Sequence, residues 1–498
     1  MFSFRNIYRQ YIQCRRNKRN TLNALRFEAR QEENLLALRE ELVTRTYRPS
    51  RSVCFFAVRP KLREIFAADF RDRIVHHILV DHLEKIWEPI FIHDSYACRR
   101  GKGVHKGVLR LQQFIRQVTG NGTAPAWYLQ LDIRNYFMSI DKEILFSLIA
   151  GKLRDEDALW LSRVLIFHDC TGNYIFRGDP GMLARIPPHK TLFGAPEGKG
   201  LPIGNLNSQF FANVYLNSLD QFVKHHLKCR QYLRYCDDFV LLSRSREELL
   251  TWKDQIEAYL RGRLALELNP HRQRLAPVSN GIDFLGYIVR GSYLLVRRRV
   301  VNNLRTRLRD YEARLVEERR HFRRYSFDER ILDQLAASLS SYLGHLMMAD
   351  TYNLRRSLRE RHPFLLRYFG FDAETGRMVR TYKSPKGFWS AGQQYRYYWW
   401  RFSGDALLFQ VGSFFELYHA RDREIARCLG LAAMRSNARG ARYGFPVALL
   451  PLYLRRLLER QRDVTVILER EHYLTRIKER TPAYRIERKT EMTGRRVL

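Results

Sequence analysis

The chain has 498 residues, 45% hydrophobic and 13% aromatic, with 87 Lys and Arg against 52 Asp and Glu for a formal charge of +35. That length supplies two to four domains with cores of their own, and the charge excess suits a polyanionic partner rather than solubility alone. No uninterrupted apolar run approaches the ~20 residues that span a bilayer, and the start, Met1 to Arg5, lacks a signal-like apolar core.

In chain order, Arg30 to Glu41 shows helical spacing with mixed charge, and Thr44 to Pro49 is extended. Trp127 to Phe137 reads as a strand that delivers Asp132 near its end, followed by a helix from Asp141 to Lys152. Gly172 to Gly200 is rich in Gly and Pro and predicts loops. Tyr232 to Tyr235 and Phe239 to Leu242 are apolar runs flanking Asp237 and Asp238. Neighbouring side chains of a strand point to opposite faces, so two consecutive carboxylates serve one site only from a hairpin tip, where turn geometry suits Asp. Joined there by Asp132, they make a magnesium site for phosphoryl transfer. Such a site holds two ions roughly 3.5–4 Å apart, one activating the attacking hydroxyl and one neutralising the leaving pyrophosphate. By itself the Asp-Asp pair reads equally well as an ordinary turn.

After Arg297-Arg298-Arg299 the pattern predicts a long basic helix to about Arg324. Leu304, Leu308, Tyr311 and Leu315 fall at helical spacing, with Arg305, Arg307, Arg309 and Arg314 around them. Such a helix tracks a nucleic-acid backbone by phosphate neutralisation; Asp310, Glu312 and Glu317 equally allow a solvated face. Tyr382 to Gly387 reads as a linker, Ala406 to Tyr418 as a strand, a turn and a helix start, Val447 to Arg460 as a helix and Val464 to Leu468 as a strand. The seven cysteines are scattered without a Cys-x-x-Cys pair, which argues against a disulfide framework or structural zinc and for a reducing cytoplasm.

Tyr235-Cys236-Asp237-Asp238 resembles the Tyr-x-Asp-Asp box of reverse transcriptases, and Asp132 stands where that family places its other metal-binding aspartate. The resemblance implies a metal site of Asp132, Asp237 and Asp238 completed by the backbone carbonyl of Ile133, with Mg2+ as cofactor. It makes Phe137 the bulky gate that excludes a ribose 2′-hydroxyl; core packing is its plainer role. Arg59 to His77 looks like the fingers segment, with Lys61, Arg63 and Arg73 as contacts for triphosphate and template; pairing with Glu64, Asp69 or Asp72 is the alternative. Ser95 to Gly103 looks like the next block and Phe284-Leu285-Gly286-Tyr287 like the primer-grip hairpin. Where the family often shows Asn-Pro-Lys-Lys, this chain has Asn269-Pro270-His271-Arg272. His271 is therefore the candidate acid for the departing pyrophosphate, because imidazole titrates near neutral pH, or else a solvent-facing loop residue.

Leu201 to Gln209 carries an Ile-Gly-x-x-x-Ser-Gln pattern similar to that of diversity-generating retroelement enzymes. It places Ile203, Ser208 and Gln209 beside the nascent base pair, with copying inaccurate at template adenines. Residues about 390 to 490 resemble the N-terminal mismatch-recognition domain of the MutS family: Phe414-Phe415-Glu416 matches its Phe-x-Glu signature and Gly444-Phe445-Pro446 its next segment. There the Phe stacks on a mispaired base and the Glu hydrogen-bonds to it. No Gly-x-x-x-x-Gly-Lys-Ser/Thr phosphate loop occurs, so the ATPase half of a MutS protein is missing from this chain.

The expectation is an α+β right-hand polymerase with an appended small α/β MutS domain I-like module. Its parts are fingers over 1–120, palm over 121–290, helical thumb over 291–372, a linker over 373–389, and the MutS-like domain with a basic tail over 390–498. The expected activity is RNA-directed DNA polymerisation, in the resemblance error-prone cDNA synthesis. The expected partners are template RNA, a cDNA or DNA primer, deoxynucleoside triphosphates and a basic accessory protein, with no membrane. The rivals are a retron-like or group II intron-derived reverse transcriptase with another role, and a non-catalytic nucleic-acid-binding scaffold.

Overall fold

Met1–Leu294 and Leu295–Leu498 are two compact units of the computed structural model, which describes every residue except 17, 59–61, 373–376, 386, 419–421, 434–442, 475–476 and 490–498. The first unit opens with helices Phe4–Arg15, Leu22–Glu28 and Gln31–Val43. Their inward residues Ile7, Tyr11, Phe27, Leu35 and Leu38 share one core with palm residues such as Leu131, Phe211 and Leu241. Fingers and palm, divided at about 120 in the sequence, thus fold around common apolar contacts. Strands β1 (Ser52–Ala57) and β2 (Arg63–Ala67) pair antiparallel, and helix α1 (Phe70–Trp87) follows, capped by the Asp69 carboxylate at the Arg71 amide.

The palm sheet holds β3 (Trp127–Asp132), β4 (Tyr232–Tyr235), β5 (Asp238–Ser243) and β6 (Arg274–Pro277) in the order β4-β5-β3-β6. The near-continuous apolar runs of β3 and β5 reflect cover on both faces; Phe239, Val240 and Leu241 are fully buried. A short helix, α2 (Tyr136–Ser139), follows β3, and α3 (Leu206–Gln221) is buried along most of its length.

In the second unit the basic helix α4 (Arg298–Leu315) stops nine residues short of the expected Arg324. Val316 takes extended backbone, as a β-branched residue readily does. The chain then forms a hairpin of β7 (Val316–Glu318) and β8 (Phe322–Ser326). Helix α5 (Ala391–Arg401) leads into β9 (Ala406–Val411). The expected helix start after β9 is instead a second strand, β10 (Phe414–Leu417), reached through a turn at Gly412, whose φ of 60° favours glycine. Three further strands follow, β11 (Tyr443–Pro446), β12 (Val464–Leu474) and β13 (Ile477–Arg488).

These seven strands form one sheet, ordered β7-β8-β13-β12-β9-β10-β11, and Phe369–Phe371 pairs with Met378–Arg380 apart from it. Leu304, Leu308 and Leu315 of α4 lie in the same core as Tyr395, Tyr398 and Phe409. Residues on both sides of the expected linker over 373–389 thus share this core, while another core, with Phe415, Phe445 and Leu457, lies wholly after it. The β8–β13 pairing, Phe322 opposite Arg488, ties the thumb region to the C-terminal strands, a long-range contact that local periodicity does not carry.

Candidate active site

Asp132 ends β3 and Asp238 begins β5 directly opposite it in the antiparallel register, so both side chains leave the same face of the sheet. Cys236 and Asp237 form the two-residue turn between the paired Tyr235 and Asp238. Cys236 adopts φ 55°, the left-handed conformation a tight hairpin needs at its first loop position. The Ile133 amide donates to the Asp237 carbonyl at 3.3 Å. This bond draws the turn against the end of β3 and closes three carboxylates into one corner.

Burial and the Asp132 charge push Asp237 up to about 6, opposed by Arg63 and Arg272. Burial pushes Asp238 up to about 7, opposed by its Gln130 hydrogen bond and reinforced by Asp132 and Asp237. Crowded carboxylates that hold protons this well mark a corner short of positive charge. Asn269 Nδ2 and Arg272 Nη1 donate to Asp132 Oδ2 at 3.0 and 3.3 Å, and Gln130 Nε2 donates to Asp238 Oδ1 at 3.0 Å. Among the described residues, no three His, Cys, Asp or Glu side chains are grouped to hold a metal ion. The donor chemistry of Asp132, Asp237 and Asp238 nonetheless fits a hard divalent cation, which takes oxygen ligands of this kind.

Beside this corner lies a cavity of about 170 Å³ whose walls include Arg63, Phe137, Ile203, Gln209, Arg234 and Cys236. Its far wall is pinned by backbone bonds. Leu201 N–H donates to the Phe137 carbonyl at 2.8 Å, Phe66 N–H to the Ile203 carbonyl at 2.9 Å, and Ala68 N–H to Asn205 Oδ1 at 3.0 Å. Gly204 makes this approach possible: at φ 124° a Cβ there would stand 2.8 Å from Ile65 Cγ2 and 3.1 Å from the Phe66 carbonyl.

Four of the seven residues expected to bind nucleotide thus line one cavity. Ser208 does not. Its hydroxyl is buried within α3 packing without a hydrogen-bond partner, while Gln209 reaches the cavity. Arg73 is held by the chain just before its own helix, Nε donating to the Ala68 carbonyl at 2.9 Å, and is not a wall of the cavity. Lys61 lies outside the described residues. His271 is exposed, and it is the next residue, Arg272, that reaches Asp132.

Sequence reasoning missed the support of the Cys236–Asp237 turn. Arg234, fully buried, pairs with fully buried Asp220 through Nη2–Oδ2 at 2.6 Å and Nε–Oδ1 at 2.8 Å. Its Nη1 donates to the Cys236 carbonyl at 3.0 Å and to Asn213 Oδ1 at 3.3 Å. A charged residue inside the apolar run of β4 was the available signal. Gln130 was also findable, two residues from Asp132 and so on the same strand face.

In the second unit, Phe414 is 44% exposed at the start of β10 and Glu416 is 5% exposed. The two lie on one face of the strand, but the Glu416 carboxylate accepts the Tyr418 hydroxyl. Phe414 is therefore available to a ligand while Glu416 is engaged internally.

A palm sheet with three converging aspartates beside a basic, aromatic-walled cavity defines a templated nucleotidyltransferase. Residues 58–289 match the family model described as reverse transcriptase (RNA-dependent DNA polymerase), and residues 392–497 match that of MutS domain I. Among curated relatives, the chain is 26% identical over 331 residues to Protein YkfC of Escherichia coli K12, covering 59% of this chain and 81% of that protein. It is 24% identical over 292 residues to the group II intron-encoded protein LtrA of Lactococcus lactis subsp. cremoris, 46% of this chain and 45% of that one. It is 24% identical over 237 residues to the mitochondrial nuclear intron maturase 1 of Arabidopsis thaliana, 40% of this chain and 30% of that one. The chain thus spans less than half the length of these intron proteins. With its reverse-transcriptase domain, the chain is an RNA-directed DNA polymerase.

Proposed function

We propose that the chain carries out error-prone cDNA synthesis in a diversity-generating retroelement, joining a primer 3′-hydroxyl to a deoxynucleoside triphosphate on an RNA template. The observation that carries the polymerase reading is the cavity walled by Arg63, Phe137, Ile203 and Gln209 beside Asp132, Asp237 and Asp238. In this reading Asp132, Asp237 and Asp238, with the Ile133 carbonyl, would hold two magnesium ions, whose chemistry would be to activate the hydroxyl and neutralise pyrophosphate. Arg63 steers the triphosphate by charge, and Phe137 closes the cavity where a ribose 2′-hydroxyl would project. The subgroup rests on the Leu201 to Gln209 pattern, of which Ile203 and Gln209 face the cavity. A basic accessory protein and a cytoplasmic setting belong to the same reading.

The MutS domain I-like region handles distorted duplex after synthesis, its exposed Phe414 stacking on an unpaired base. Relatives such as LtrA favour a second reading, an intron-derived reverse transcriptase with another role. Sequencing cDNA made on a defined RNA separates the two. Errors concentrated at template adenines support the retroelement reading, and uniform errors support the intron-derived one.

A further inference from the structure

Tryptophan is largely buried in most folds because its ring carries a large apolar area. Trp389 and Trp400, at the two ends of α5, are 70% and 80% exposed. Ser390 caps the helix through the Gln393 amide at 3.2 Å, and the Gln393 side chain accepts the Trp389 amide at 2.7 Å, a variant of the capping box that fixes Trp389 against the first turn. Gln393, Arg396 and Trp400 follow at spacings of three and four, hence on one face of the helix, and Arg396 is exposed between the tryptophans. The opposite face is spent on the core, where Gln394, Tyr395 and Tyr398 are buried.

Charge selects among the occupants such a face could take. From Gly376 to Gly404 the sequence contains no Asp or Glu. Among the described residues of that segment, Arg380 and Lys383 pair with Asp333, Arg377 stands outside α5 and Arg401 is largely buried, which leaves Arg396 as the α5 guanidinium displayed between the tryptophans. Two exposed indoles with a cation between them and no anion in the segment suit a strand that offers both π-faces and phosphates. Stacking of bases on aromatic side chains is sequence-tolerant, and duplex DNA keeps its bases out of reach of a convex helix face. In a reaction that copies RNA, the strand with unpaired bases is the template not yet copied.

We propose that the outer face of α5 is a docking platform for single-stranded template RNA, with bases stacked on Trp389 and Trp400 and a phosphate on Arg396. The platform rests on the polymerase reading for the identity of its ligand, and it is separate from Phe414, which belongs to β10. Along the helix axis the two positions are about 16 Å apart, at 1.5 Å per residue, so a strand of a few nucleotides reaches both.

The test is fluorescence anisotropy of an unstructured, labelled RNA of mixed sequence with the full-length chain, beside single-stranded DNA and blunt duplex of the same sequence. Trp389→Ala and Trp400→Ala are each expected to weaken RNA binding about tenfold, the scale of losing one stacked base. Trp400→Phe is expected to retain most of it, and duplex binding is expected to stay within about twofold. Primer extension on a template without an uncopied overhang beyond the first few bases should be unchanged in all three variants, which also reports that they fold. Equal loss for RNA and duplex overturns the proposal, as does unchanged RNA affinity in the Trp389→Ala, Trp400→Ala double variant. Loss of self-association with RNA affinity intact overturns it in favour of a protein partner. If Trp-dependent RNA binding holds but no extension occurs, the polymerase reading fails and the platform stands as an RNA-binding site.

Discussion

Replacing Arg234 by Met should be the most damaging single change in the first unit outside the aspartates. The substitution keeps an unbranched apolar stem and removes the guanidinium. It leaves the Asp220 carboxylate fully buried, with the Tyr232 hydroxyl at 2.7 Å as a remaining donor. Removing one partner of a buried ion pair costs about 3–5 kcal/mol, because the other charge stays desolvated and uncompensated. The Cys236 carbonyl and Asn213 lose their donor as well. Against a stability of about 5–15 kcal/mol, the variant still folds, with Tm lowered by roughly 6–20 °C at about 2–4 °C per kcal/mol. Below that temperature the effect passes to chemistry: Cys236 holds the left-handed turn that presents Asp237, so kcat for single-nucleotide extension should fall while primer–template affinity stays within a few-fold. Thermal unfolding and steady-state extension with Arg234→Met, Arg234→Lys and the double variant Arg234→Met, Asp220→Leu measure both. The double variant should recover stability, because no unpaired charge remains, but not kcat. A loss under about 1 kcal/mol for Arg234→Met, or a double variant no more stable than the single, refutes the reasoning.

Three further outcomes follow from the geometry. His271→Ala should leave extension rates at neutral pH within about twofold, as for an exposed side chain. Arg272→Ala, which removes the 3.3 Å contact to Asp132, should lower kcat measurably, and the reverse ranking would return His271 to the mechanism. Gly204→Ala should cost about 1–3 kcal/mol, because alanine pays for φ 124° and meets Ile65 and the Phe66 carbonyl; KM for the nucleotide should rise as Ile203 shifts, as thermal unfolding and nucleotide titration would report. Phe414→Ala should change stability by less than about 0.5 kcal/mol, as for a half-exposed surface residue, and should weaken binding to mismatched more than to matched duplex; equal binding of both removes Phe414 from recognition.

The corner of Asp132, Asp237 and Asp238 was legible in the sequence because its determinants are local. A strand-like run that delivers Asp132 and a Tyr-x-Asp-Asp turn between two apolar runs each declare themselves within about ten residues, although the strand stops at Asp132 and not at Phe137, and one sheet joins them. The walls of the cavity were legible only in part. Arg63, Phe137, Ile203 and Gln209 converge, whereas Ser208, one residue from Gln209, turns into the packing of α3, because successive helical positions point about 100° apart. Arg73 is claimed by the Ala68 carbonyl just before its own helix. The Arg234–Asp220 pair was hidden because its partners are fourteen residues apart and on different elements. The same holds for β8, whose partner β13 lies beyond the helices and strands between. Periodicity saw α4 as a helix but not where a hairpin would compete for its end, and the C-terminal hairpin of β9 and β10 passed for a strand and a helix because Phe414 to Tyr418 suits both.

Primer extension on a defined RNA template, with Mg2+ and all four deoxynucleoside triphosphates, bears most directly on the central claim that Asp132, Asp237 and Asp238 form a polymerase centre. The intact chain should extend the primer, chelation should stop it, and Asp237→Asn should abolish extension while retaining template–primer affinity and thermal stability. Extension by Asp237→Asn at the rate of the unaltered chain, or no metal-dependent extension by the intact one, would contradict it.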